Sequence, residues 1–64
     1  MYTFVKIQLL DGSAYKFAVS SIDNVFYNLE YKSVTISFKD SSVPDLILKE
    51  GKDIGSALTV FEKF

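Results

Sequence analysis

Residues 22–38 read IDNVFYNLEYKSVTISF, and whether the first half of that stretch is strand or helix decides the fold. The second half has one reading. Val34, Ile36 and Phe38 alternate with Thr35 and Ser37, the period-two pattern of a strand with one buried face. The first half supports two periods. Val25, Tyr27, Leu29 and Tyr31 alternate as a strand that turns at Lys32-Ser33 and sets Leu29 against Ile36 and Tyr27 against Phe38. Ile22, Val25, Phe26 and Leu29 fit the helical i, i+3, i+4, i+7 spacing equally well, and Ser20 with Asp23 resembles a capping box. The β preference of Val, Phe and Tyr, with turn-like Ser20-Ser21 and Asp23-Asn24 in front, favours strands over about 25–31 and 34–39.

Working outward, Val5, Ile7 and Leu9 alternate with Lys6 and Gln8, and Tyr15, Phe17 and Val19 repeat the pattern around Lys16. These predict strands over about 2–10 and 13–20. A two-residue Asp11-Gly12 loop would pair Ile7 with Lys16 and put the two apolar rows on different faces. A three-residue loop Leu10-Asp11-Gly12, with Gly12 left-handed as a bulge, pairs Ile7 with Tyr15 and Val5 with Phe17. The bulged hairpin is therefore expected.

Pro44 keeps Asp40 to Asp45 out of a central strand and leaves a short strand over about 45–49. Beyond Gly51, the residues Ile54, Ala57, Leu58 and Phe61 recur at helical spacing, predicting an amphipathic helix over about 53–63 with Asp53 at its positive end. The expected fold is α+β and β-rich: one domain with a small antiparallel sheet of four to five strands and one C-terminal helix. The helix would cover Val5, Ile7, Leu9, Tyr15, Phe17, Ile36, Phe38 and Leu48, with Phe17 and Ile36 at the centre.

Composition limits the chemistry. The 64 residues include no His, no Cys, no Trp and, all seven cations being Lys, no Arg. No side chain titrates near neutrality at its ordinary pKa, and thiolate nucleophiles, disulfides and Cys/His zinc sites are excluded. Carboxylates remain, Asp40 with Asp45 or Asp11 with Asp23, but Asp among Gly, Ser, Asn and Pro is turn composition. Neither catalysis nor a metal or other cofactor is expected. Seven Lys against eight acidic residues give a net charge of −1, and the Lys are scattered. Lys without Arg, beside many Phe, Tyr, Asn and Ile, suits AT-rich codons and suggests a viral or mobile-element source. No membrane-length apolar run and no basic leader occur, so a cytoplasmic protein is expected, in the host cytoplasm if viral.

A domain this small buries only about 60% of its unfolded surface and rarely gains more than about 3–5 kcal/mol from its core. Disulfide and metal staples being absent, a second copy is the expected source of further stability. One three-turn helix covers one face of a sheet, which leaves Tyr2, Phe4, Leu10, Phe26, Ile47, Val60 and Phe64 on opposite rows or at the ends. Of these, Tyr2, Phe4, Leu10, Phe26, Ile47 and Phe64 form the candidate interaction surface. The leading expectation is a non-catalytic homodimeric interaction protein that binds or occludes an unidentified protein partner, as an inhibitor or adaptor. The alternative is a single-strand nucleic-acid binder that stacks bases on Tyr15, Phe17, Tyr27 and Tyr31, with Lys16 and Lys32 on the backbone. The acidic balance and the missing Arg weigh against it. In layout alone, the hairpin LLDGSAYKF, the Ile22-x-x-Val25 step, the strand VTISF and a final short helix resemble the small flagellar FlbD-type proteins. The long SSVPD loop departs from that layout, and the resemblance assigns no residue a role.

Overall fold

The computed structural model describes residues 3–64 and is an α+β, strand-rich fold. Strands β1 (Phe4–Gln8) and β2 (Ala14–Ala18) form one antiparallel sheet. Strands β3 (Ile22–Asn28), β4 (Ser33–Phe38) and β5 (Leu46–Lys49) form a second in that order, and one short helix, α1 (Ala57–Phe61), follows. The expected single sheet is thus split in two. A turn of 3-10 helix over Val19–Ser21, where the Ser21 hydroxyl donates to the Ala18 carbonyl at 2.6 Å, redirects the chain from the first sheet to the second.

The first hairpin has the expected register, Val5 opposite Phe17 and Ile7 opposite Tyr15. Gly12 takes φ 94°, a conformation that costs a residue with a Cβ but not glycine. Asp11 fixes the turn by accepting the Ser13 amide at 2.8 Å.

Residues 22–28 are a strand, not a helix, and the cause of the double periodicity is visible. A bulge between Ile22 and Asn24 inserts one extra residue against β4, with Ile22 opposite Phe38 and Asn24 opposite Ser37. That shift of phase turns both Ile22 and Val25, three apart, toward the core. The helix-like step is therefore a bulge signature.

The expected pairing of Leu29 with Ile36 and Tyr27 with Phe38 is corrected to Val25 with Ile36 and Tyr27 with Val34. The turn is not Lys32-Ser33 but spans residues 29–32, because the Asn28 side-chain oxygen accepts the amides of Glu30 at 3.0 Å and Tyr31 at 3.1 Å. Lys32 closes it at φ 51°. Leu29, placed in a strand by its spacing, is instead 79% exposed in that turn.

The core joins the inner faces of both sheets: Val5 and Ile7 from β1, Val34 and Ile36 from β4, Leu48 from β5, and Ile54, Ala57 and Val60 from the C-terminal segment. Ile36 and Val34 are fully enclosed. Leu9, Phe17 and Phe38 pack against this cluster half-buried, whereas Tyr15, expected inside, is exposed. Val60, expected among the uncovered residues, is buried.

The helix is shorter than 53–63 because residues 49–54 wind tightly around one carbonyl. Lys49 O accepts the amides of Lys52, Asp53 and Ile54, and the Asp53 carboxylate returns to the Lys49 amide at 2.9 Å. Asp53 is therefore a loop brace, and Glu50 instead accepts the Ala57 amide of the first helical turn at 3.2 Å. Among the described residues no helix is long and apolar enough to cross a membrane.

Candidate interaction surface

The alternation of β4 that buries Val34 and Ile36 turns Ser33, Thr35 and Ser37 to the opposite, outer face of the three-stranded sheet. Register completes each row. Phe26 lies opposite Thr35, and Thr35 opposite Ile47, so a Phe26–Thr35–Ile47 row crosses all three strands. Neighbours in such a row have Cβ atoms about 4.5–5.5 Å apart. Phe26 is 50% and Ile47 63% exposed. On one side of the row lie Asn28, the buried Ser33 and Lys49, and on the other Asn24 and the half-buried Ser37. The row thus sets two exposed apolar side chains on either side of Thr35, with polar residues beyond them.

Of the six residues picked from the sequence, Phe26 and Ile47 are the two brought together. Tyr2 lies outside the described residues. Phe4 sits on the outer face of the other sheet, where the Lys16 ammonium lies 5.3 Å from its ring. Leu10 is at the tip of the first hairpin, its amide tied to the Asp53 carbonyl at 2.9 Å. Phe64 stacks on Phe17 at 6.2 Å, and Phe17 meets Phe38 edge-on at 5.5 Å, which closes one end of the core. Phe4, Leu10, Phe26, Ile47 and Phe64 are all exposed. Thr35, the centre of the row, is absent from that selection, although its place between Val34 and Ile36 already assigns it to the outer face. Leu29 and Tyr31 add exposed apolar surface in the adjoining turn. Asn28 was the signal for that turn.

The aromatics of the nucleic-acid reading are dispersed. Tyr15 and Phe17 stand on β2, Tyr27 on β3 is exposed and meets Phe61 edge-on at 6.3 Å, and Tyr31 lies in the turn beyond. The acidic residues are likewise separate, and no three of the described ones gather closely enough to hold a metal ion. Asp11 and Asp40 are both held below the usual Asp range. In each the hydroxyl of the serine two residues on, Ser13 or Ser42, has the largest effect, followed by that serine's amide. Both are turn braces. No protein-family model matches the chain, and no match was found among the curated proteins or the solved structures.

Proposed function

We propose that this chain is a non-catalytic protein-interaction protein that pairs with a second copy of itself and acts as an adaptor or inhibitor by occupying a partner's surface. The observation that carries the reading is the row in which exposed Phe26 and Ile47 flank half-buried Thr35, with polar residues on either side. A second copy is the favoured occupant because the chain has no disulfide or Cys/His zinc staple, while a core of this size leaves little stability in reserve. A two-fold axis near Thr35 would set Phe26 of each copy against Ile47 of the other, the self-complementary arrangement of closed dimers. Backbone pairing fixes the order of side chains in the row, and the sequence contains neither His nor Cys, the commonest acid-base group and the most reactive nucleophile.

Light scattering at micromolar concentration tests this. We expect a mass near twice that of the chain, and Phe26→Asp should shift it to the monomer while circular dichroism is retained. A monomer at every accessible concentration, or a dimer indifferent to charge at both Phe26 and Ile47, would sink self-association through this face.

A further inference from the structure

One edge of β1 is open, and its surroundings describe what would close it. The Leu9 amide donates to the Ser13 carbonyl at 2.9 Å and the Val19 amide to the Thr3 carbonyl at 2.8 Å. Ladder bonds alternate in an antiparallel pair, so the odd residues from Thr3 to Leu9 bond toward β2, while the backbone groups of Phe4, Lys6 and Gln8 point the other way. The next even residue shows where that edge leads, since the Leu10 amide donates to the Asp53 carbonyl. The C-terminal segment supplies that one rung and then curves away into α1. Among the described residues β1 pairs with β2 alone, and no loop or turn hydrogen bond reaches the backbone amide or carbonyl of Lys6 or Gln8.

The space left between β1 and the departing segment is a groove of about 530 Å³. Lys6, Ile7 and Gln8 form one wall, and the other includes Ser56, Thr59 and Lys63. Its lining includes two lysines, Lys6 and Lys63, and no acidic residue. Lys6 also stands directly opposite Lys16 across the hairpin, at a position where ladder bonds are absent and side chains come closest. Like charges so placed destabilise a sheet. Lys16 lies against the Phe4 ring, and an anion beside Lys6 would relieve the remaining repulsion.

We propose that this groove binds an extended, acidic segment of a partner protein as an added strand on β1. Its backbone would take up the free amides and carbonyls of Lys6 and Gln8, and its carboxylates would lie between Lys6 and Lys63. A second copy of this chain fits the edge poorly, because antiparallel pairing of two β1 strands brings Lys6 and Lys63 of both copies together. The proposal rests on reading the chain as an interaction protein but uses a surface separate from the Phe26–Ile47 row.

The test is a nuclear magnetic resonance titration of the full chain with a short blocked peptide of alternating Glu and Val. We expect shifts at the amides of Lys6, Gln8, Ser56, Thr59 and Lys63, with slowed hydrogen exchange at Lys6 and Gln8. The same peptide with Lys for Glu should not bind. N-methylation at the peptide positions facing β1 should abolish binding, a control that leaves the protein unaltered. Lys6→Glu should weaken binding by about tenfold. Absence of shifts up to millimolar peptide, unslowed exchange at Lys6 and Gln8, or equal binding of the Lys or methylated peptide would overturn the proposal and leave Lys6 as a guard against edge aggregation. Repeating the titration with Phe26→Asp, and following its mass, separates the two readings. Peptide binding should survive loss of the dimer, and its failure would leave the dimer standing.

Discussion

Ile36 and Phe17 meet the core from different sheets and with different degrees of enclosure. Ile36 is 0% exposed at the centre of β4, so Ile36→Ala should leave a cavity and cost about 2–5 kcal/mol. That approaches the about 3–5 kcal/mol available to a core of this size. Phe17 is half-buried at the rim between Phe38 and Phe64, and Phe17→Ala should cost less, about 0.5–3 kcal/mol. Urea unfolding of the two variants checks the order. Alternation identified Ile36 and Phe17 together, since period two reports the face and not the depth along it. The Asp11 and Asp40 turns carry a pH dependence of known sign. Both carboxylates keep their charge to lower pH when folded, so each turn contributes at neutral pH and loses that contribution as pH falls through the lowered folded pKa. In a carboxyl-carbon titration, Ser13→Ala should raise the Asp11 midpoint and leave that of Asp40 in place.

Among the elements, the turn at residues 29–32 holds the clearest local strain. Lys32 sits at φ 51°, where a Cβ crowds the backbone and glycine does not. We expect Lys32→Gly to stabilise the chain by about 1 kcal/mol, read as a rise in melting temperature. The first hairpin was legible to the residue because, of the two- and three-residue loops around Asp11-Gly12, the three-residue one keeps Val5, Ile7, Tyr15 and Phe17 on one face. The second was legible as strands but not in register. The bulge at Asp23 shifted the phase of Ile22, and a four-residue loop held by Asn28 replaced the short turn at Lys32-Ser33. Spacing alone cannot distinguish a bulge from a helical step. The helix was overextended for a related reason: Ile54 has the right interval from Ala57 and Leu58 but is carried by the coil around the Lys49 carbonyl.

Across the whole molecule, division into two sheets was the least legible feature, because it depends on a three-residue turn at Val19–Ser21 that no hydrophobic period marks. Within the candidate surface, Phe26 and Ile47 could be named as uncovered, but their adjacency needed the true register through Thr35. The open β1 edge was out of reach of any pattern, since it follows from where the C-terminal segment leaves the hairpin. The same segment has a consequence in time. Both hairpins close through local contacts on a scale of about 1–10 μs. The core is complete only when Ile54, Ala57 and Val60 reach Val5 and Ile7 from the far end of the sequence, a contact whose loop-closure entropy delays it. Docking of the C-terminal segment should therefore follow the rate-limiting barrier. Stopped-flow measurements on Val60→Ala should show unfolding accelerated and refolding nearly unchanged, whereas Ile36→Ala, in the strand both neighbours pair with, should slow refolding. With that outcome, local opening would start at the C-terminal segment, and limited proteolysis should cut there first.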